Sequence, residues 1–287
     1  MANLKEIRNR IASVSSTMQI TSAMKMVSAA KLKKAQDAIT EMRPYSKTLS
    51  ELIQNLSSAL EGDSQNPYTQ VRESKKILIV AITSNRGLCG AFNANIIKKT
   101  KQLLKESYSD KDVSIVSIGK KGSEILNKTG KVSSIHDSLY DDLSYSKVGE
   151  TAQMIMEQYE NAELDEVVLV YNQFKNAATQ IIQVEPFLPV VANVSESNAE
   201  IGDYIFEPNK ADIVNDLLPK SLKIQMFKAL RDSFASEHGA RMTAMHKATD
   251  NATELRDQLK LTYNKARQAS ITNEILEIVG GAEALNG

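Results

Sequence analysis

The chain has little of what stapled or membrane-embedded proteins need. Of its 287 residues only Cys89 is a cysteine. No internal disulfide can form, which fits a reducing interior. No run of eighteen apolar residues occurs, so no spanning helix is expected. The opening MANLKEIRNR lacks the apolar core of a secretory signal and merges into a helical pattern, which points to mature protein. Tryptophan is absent and aromatic residues make up 5%, a composition suited to a chain dominated by paired helices. Charge of one sign is not in surplus either: Lys+Arg and Asp+Glu both number 35. That balance argues against a dedicated nucleic-acid binder. The distribution is uneven, with net charges of +5 over residues 1–60, −6 over 61–208 and +1 over 209–287. The basic front keeps an acidic partner open. The first sixty residues also hold no glycine and one proline, Pro44, so nothing but Pro44 interrupts a helix there.

What is present begins with a heptad rhythm. Leu4, Ile7, Ile11, Val14 and Met18 recur at alternating spacings of three and four. After a gap the rhythm resumes at Leu32, Ala35, Ile39, Met42, Leu49, Ile53, Leu56 and Leu60. This predicts a helix gripped along its length by another. Unbroken, it would run roughly 90 Å, against about 40 Å for a compact domain, so it must stand out from the body. A second stretch runs from Pro219 to Leu285, with Phe227, Leu230, Phe234, Ala244, Ala248, Leu255, Leu259, Ala266 and Ala269 as its seam. The phase then slips and continues through Ile271, Ile275, Ile278, Ala282 and Leu285, as a stutter does. The simplest topology folds the two into an antiparallel pair. The predicted fold class is α/β: a long antiparallel two-helix coiled coil from the N- and C-terminal helices, with a Rossmann-like α/β domain in the middle. The boundaries are 1–60, 75–200 and 209–287.

The middle reads as alternating elements. Ile77–Ile82 is a continuous apolar run, the mark of a buried parallel strand. A glycine-bearing turn follows, then helix over 91–108, strand over 113–118, a Gly119–Gly122 turn, a short helix over 123–128, strand over 132–135 and helix over 145–159. Strands over 167–174 and 180–184 form a hairpin. This order implies a sheet with helices packed on it.

Candidate chemistry is sparse. Ser84-Asn85-Arg86-Gly87-Leu88-Cys89-Gly90 sits where a phosphate loop would sit, between first strand and helix. It lacks the Gly-Lys-Ser/Thr ending and the three-glycine fingerprint. A tight turn, a contact loop and a nucleotide site stay open as readings. No pattern ties His136, His238 or His246 to Cys89, and a buried structural thiol is expected. His238 and His246 are not at helical metal-pair spacing. No catalytic, cofactor or metal residue is assigned. Met18, Met24, Met26, Met242 and Met245 read either as adaptable core filler or as a soft contact surface.

The two ends then become recognisable. Ile7-Arg8-Asn9-Arg10-Ile11-Ala12-Ser13-Val14, and Gln19-Ile20-Thr21-Ser22-Ala23-Met24-Lys25-Met26-Val27, closely resemble the gamma subunits of F-type ATP synthases, the rotating central shafts. So do Ala240-Arg241-Met242, Ala248-Thr249-Asp250-Asn251-Ala252, the run Tyr263 to Ile275, and Glu277-Ile278-Val279-Gly280-Gly281-Ala282. Ser84–Gly90 resembles the family's Ser-Asp-Arg-Gly-Leu-Cys-Gly loop, with Asn85 in place of Asp. The resemblance implies a central-stalk rotor, not catalytic by itself, coupling ion flow to ATP synthesis or hydrolysis by rotation. The implied partners are three alpha and three beta subunits, the epsilon subunit and the c-subunit ring. The chain would reach the membrane only through the complex, at the cytoplasmic face of a bacterial inner membrane. Alpha and beta contacts carry over onto Met24, Lys25, Arg241, Arg267, Gln268, Thr272, Glu274, Ile275 and Ile278, and the epsilon and c-ring contacts onto Tyr204 and Glu207. Thr21, Lys25 and Ser28 interrupt the apolar seam, facing either water or a collar. Lys31, Lys33 and Lys34 are either a solvated face or a match for acidic loops. The competing readings are a coiled-coil adaptor with an α/β binding module, and a small α/β enzyme with helical arms.

Overall fold

In the computed structural model the described residues are 4–58, 66–190 and 210–286. They fall into two compact units, Ala29–Arg241 on one hand and Met1–Ser28 with Met242–Gly287 on the other. Helix α1 (Leu4–Ser58) and helix α5 (Lys210–Asn286) contribute to both. Pro44 stands inside α1 and does not end it. The back helix starts at Lys210, next to the expected boundary at 209 and upstream of Pro219, where its heptad stretch was read to begin.

The unit of residues 29–241 holds a five-stranded sheet in the order β3-β2-β1-β4-β5. Its strands are β1 (Lys76–Ile82), β2 (Asp112–Ile118), β3 (Val132–Ile135), β4 (Glu166–Phe174) and β5 (Gln180–Leu188). The first four run parallel, and β5 closes the sheet as an antiparallel hairpin with β4. Because side chains alternate across a strand, β1 feeds two cores. Leu78, Val80 and Ile82 pack with α4 (Tyr145–Glu160) and with Leu222, Met226 and Leu230 of α5. Ile77, Ile79 and Ala81 pack with α2 (Phe92–Gln102) and with Leu126 of α3 (Lys120–Leu126). Helices therefore cover both faces, which is why β1 reads as unbroken apolar sequence. Ile79 is fully buried, and cutting it to Ala would cost about 2–5 kcal/mol.

Several boundaries differ from the sequence reading. Helix α2 ends at Gln102 and passes into a π-helical turn over Leu103–Ser107. Strand β5 runs on to Leu188 through Pro186, because an edge strand needs no ladder donor on its outer side. Helix α3 starts at Lys120, not Ser123. Gly119, with φ 98°, makes the turn alone, and Gly122 sits inside the helix.

In the unit of residues 1–28 and 242–287 the two helices pair antiparallel. Arg8 meets Tyr263, Met18 meets Arg256 and Thr21 meets Thr249. The front seam keeps its phase, and Thr21 and Ser28 are buried in it, so neither faces water. The back seam differs. Leu255 is exposed and Arg256 half-buried in its stead; Ala269 is exposed and Ser270 half-buried. No stutter restores contact beyond that point, since residues 271–282 are all exposed. In the antiparallel register, with Arg8 against Tyr263, α5 passes the first described residue of α1, Leu4, before it reaches Ile271. The side chains of Ile53, Leu56 and Leu285, and all of Leu60, lie outside the described residues.

Candidate functional site

The loop after β1 is assembled by hydrogen bonds from three directions. Thr83, fully buried, donates its backbone N–H to Ile118 O at 2.8 Å. Its Oγ1 accepts the Gly122 N–H at 2.9 Å. A Cβ on Gly119 would lie 2.4 Å from Thr83 O, and one on Gly122 would lie 2.5 Å from Thr83 Oγ1. Both positions therefore require glycine for close approach. From α2, Asn93 accepts the Ser84 N–H at 2.9 Å and donates to Ser84 Oγ at 2.8 Å and Cys89 Sγ at 3.3 Å. Cys89 is buried, and burial pushes its thiol pKa up, away from a reactive thiolate. Asn85 donates to Asp137 O at 2.8 Å and accepts the Lys120 N–H at 3.1 Å. An ionised Asp could make only the second bond, which gives the Asn here a structural use.

Helix α5 closes the loop from behind. Arg241 is 6% exposed. It donates from Nη2 to Arg86 O at 2.9 Å, and from Nε and Nη2 to Gly87 O, each at 3.2 Å. Nη2 also pairs with Glu237 Oε1 at 2.7 Å, and Nη1 lies 3.3 Å from His238 Nδ1. Burial pushes the Glu237 carboxyl upward, and the Arg241 guanidinium pulls it partly back. His238 packs edge-on against Phe234 at 4.5 Å between ring centres. Burial, then the Arg241 and Lys31 charges, lower its pKa to about 3. It is a neutral ring at physiological pH, accepting at Nδ1 from Arg241.

This geometry decides what the loop can bind. A phosphate loop aims backbone N–H groups into its cradle. Here the Arg86 and Gly87 carbonyls turn inward, onto a cation. The crevice beyond the strand ends, where α/β sheets with this kind of order bind ligands, is filled by the chain itself. Ser236 Oγ donates to Asn172 O near the end of β4 at 3.0 Å. Gly239 approaches so closely that a Cβ would lie 3.2 Å from Ala177. Outward, the loop displays Arg86 and Leu88. Leu88 is 63% exposed and held at φ 61°, a left-handed conformation that a branched side chain rarely adopts. Among the described residues no group of three His, Cys, Asp or Glu side chains is placed to hold a metal ion.

The other residues singled out from sequence lie on α1 and α5 or outside the described residues. Met24 and Lys25 are half-buried on α1. Arg267, Gln268, Thr272 and Glu274 are exposed on α5, Glu274 accepting from Ser270 Oγ at 3.2 Å. Ile275 and Ile278 are 54% and 71% exposed. Lys31, Lys33 and Lys34 are exposed. Tyr204 and Glu207 lie outside the described residues. Arg241 stands apart, spent on partners within its own chain. Sequence reasoning did not find Glu237 or Asn93 as members of this site, and weighed His238 only beside Cys89 or a metal, not beside Arg241. The i, i+4 Glu237–Arg241 spacing was the available signal. It also did not find the polar seam contacts. Thr21 and Thr249 bring their hydroxyls to 2.8 Å, Arg8 donates to Tyr263 OH at 2.8 Å, and Arg256 reaches Met18 Sδ at 3.4 Å.

Comparison with known proteins places this arrangement. The family model described as ATP synthase matches residues 3–285. An ATP synthase gamma chain of Flavobacterium johnsoniae is 67% identical over the whole of both chains. One from Geobacter metallireducens is 45% identical, again over the whole of both. Among solved structures, a chain in the OSCP, F1 and c-ring assembly of Euglena gracilis mitochondrial ATP synthase superposes with a TM-score of 0.73 at 24% identity, covering 98% of this chain and 94% of that one.

Proposed function

The chain belongs to the ATP synthase gamma-chain family, the central-stalk rotor subunits of F-type ATP synthases, and we propose that its helix pair turns inside a ring of three alpha and three beta subunits. It is a peripheral part of the membrane-bound complex, and no described helix is long and apolar enough to cross a membrane. The observation that carries the reading is the uncovered end of α5. Ile271, Ile275, Leu276, Ile278 and Val279 are each 48–71% exposed on one short stretch. A chain working alone does not leave such a patch in water. An apolar sleeve in the ring suits it, because apolar contacts slide without breaking directed bonds. Met24 and Lys25 then serve as a collar contact, and Arg267, Gln268, Thr272 and Glu274 as polar contacts that engage and release. Arg241 serves its contact indirectly, through the loop that it holds. Tyr204 and Glu207 are assigned to the epsilon subunit and the c ring, at the cytoplasmic face of a bacterial membrane.

The mechanism follows from symmetry. An asymmetric shaft in a threefold ring shows each beta subunit a different face, and so acts as a ligand that prefers one conformation of each site. Driving a site from 1:99 to 99:1 takes about 5.5 kcal/mol of differential binding. The coupling is reciprocal, so nucleotide turnover turns the shaft and the turned shaft changes nucleotide affinity. The chain itself supplies no catalytic group. Native mass spectrometry of the co-expressed subunits tests this. One copy of this chain with three alpha and three beta is expected. A homodimer with no nucleotide-binding partner would instead establish the adaptor reading.

A further inference from the structure

The rotor reading leaves open what keeps the two helices aligned while torque acts on them. In the unit of residues 1–28 and 242–287, the polar contacts between α1 and α5 include Arg8–Tyr263, Met18–Arg256 and Thr21–Thr249. They differ in stiffness. The first is exposed, so water can replace it. Arg256 reaches Met18 on a long stem and also pairs with Asp257 at 2.8 Å. Either arginine can follow a helix that slides. Thr21 and Thr249 cannot. Each hydroxyl sits one bond beyond Cβ, and the two Oγ1 atoms meet at 2.8 Å. A slide of about 3 Å, two residues' rise, parts them. Thr21 is 9% exposed, which leaves water little access to the gap. The apolar seam beside the pair sets no alignment of its own. Thr249 is flanked at seam spacing by Met245 and Ala252, both buried. Methionine fills whatever gap it meets, and alanine is too short to lock into a facing hole.

We propose that Thr21 and Thr249 are positioning residues, a reversible pin that holds α1 and α5 in register as the shaft turns. Proton placement explains the reversibility. Thr249 Oγ1 lies 2.8 Å from Met245 O, and Thr21 Oγ1 lies 3.1 Å from Met18 O. Each hydroxyl carries one proton. The closer carbonyl takes that of Thr249, and Thr21 donates across to Thr249. When the helices slide, Thr21 turns back onto Met18 O and no donor is orphaned. Two valines would pack in the same space with no polar group to satisfy, so the hydroxyls serve alignment rather than strength. The pin is a property of this chain, and its effect on coupling rests on the rotor reading.

Paired substitutions separate alignment from strength. Thr21→Val with Thr249→Val keeps the shape and removes both hydroxyls together, so the melting temperature of the full chain should hold within about 2 °C or rise. Spin labels on Gln19→Cys and Glu254→Cys, both at exposed positions, read the alignment in the full chain. Cys89 is buried and stays unlabelled. Without the threonine changes the labels should give one narrow distance. With the valine pair the misaligned population should grow about fivefold, the weight of one net hydrogen bond. In the assembled complex the valine pair should keep ATP hydrolysis and pump fewer ions per ATP. Thr21→Ser with Thr249→Ser keeps the hydroxyls and gives up two methyl groups. It should melt lower, yet keep the narrow distance and the pumping. An unchanged distance in the valine pair overturns the pin, and full pumping by a misaligned valine pair overturns its role in coupling. Pumping that follows melting temperature across the two pairs assigns the effect to packing and overturns both. Failure of the unaltered chain to assemble with alpha and beta counts against the rotor reading instead, and the distance measurement still decides the pin.

Discussion

Replacing Arg241 with Met keeps the bulk of the side chain and removes its charge and donors. Four acceptors then lose their donor: the Arg86 and Gly87 carbonyls, the Glu237 carboxylate and His238 Nδ1. Glu237 is 6% exposed, so water cannot take the place of the guanidinium. Breaking one half of a buried pair costs about 3–5 kcal/mol. For a unit of roughly two hundred residues that corresponds to a drop in Tm of about 6–20 °C. The assay is a urea or thermal melt of the isolated chain at low micromolar concentration, followed by far-UV circular dichroism. Two controls separate the buried-charge argument from simple loss of packing. Glu237→Leu combined with Arg241→Met removes both charges and should recover more than half of the lost stability, since an apolar pair of like volume avoids the desolvation penalty. The deficit of the single variant should also shrink as pH falls. Without Arg241 the Glu237 carboxyl is raised further, the folded state takes up the proton first, and stability present at low pH is lost as pH rises through that raised value. A loss below about 1 kcal/mol for Arg241→Met, or a double variant weaker than the single, would refute the reasoning.

Gly119→Ala should be among the most damaging single-methyl changes in this chain, because its Cβ would sit 2.4 Å from Thr83 O at a φ of 98°. A loss of about 3 kcal/mol or more in urea melts is expected, whereas Gly87→Ala, with nothing within 4 Å, should cost far less. Acid sensitivity should trace to His238. With a folded pKa of about 3, the unfolded chain binds a proton below its ordinary value of about 6.5 that the folded chain refuses. Stability is therefore lost as pH falls from about 6.5 towards 3, by up to about 4 kcal/mol. The raised Glu237 carboxyl offsets part of this near the lower end. His238→Asn, which retains an acceptor but cannot titrate, should flatten the slope in melts taken between pH 6.5 and 4.

The parts of the fold that were legible in the sequence are those where one physical signal dominates. Ile77–Ile82 could only be a strand covered on both faces. Both terminal helices showed through their spacing, and the loop after β1 through its position and glycines. The seam register at the back was misread at Leu255 because hydropathy favours leucine over arginine. Arg256 takes the seam position because its methylene stem covers apolar surface while its head reaches Met18 Sδ and Asp257. The front seam looked broken from Thr21 to Ser28 because hydroxyls read as surface. Each satisfies itself within the helix, Thr21 on Met18 O at 3.1 Å and Ser28 on Met24 O at 2.8 Å, so burial costs little. The role of the loop was illegible for a different reason. Which of its atoms face inward depends on Arg241, which lies 154 positions from Gly87.

The polar seam bears on how a shaft can be both paired and turned. Along residues 4–28 and 245–270 the buried line includes Thr21, Ser28, Thr249, Arg256 and Tyr263 among its apolar members. Polar seam residues fix register at a cost in stability. Thr21 and Thr249 share a hydrogen bond that forms only when the helices are aligned. Several large apolar side chains of the same unit lie outside the seam: Ile20, Met26 and Val27 on α1 are each 57–65% exposed, and Leu261 of α5 is 65% exposed. A helix pair stabilised for independence would place those residues between the helices and the hydroxyls outside. The opposite placement gives up affinity between the two helices while keeping their alignment, and reserves apolar surface for whatever encloses them. That division of labour suits a spindle held by a sheath. In the arrangement proposed above, the sheath would supply part of the burial, the hydroxyls would keep the two strands of the shaft in step, and the outer apolar contacts, having no preferred direction, would let it rotate.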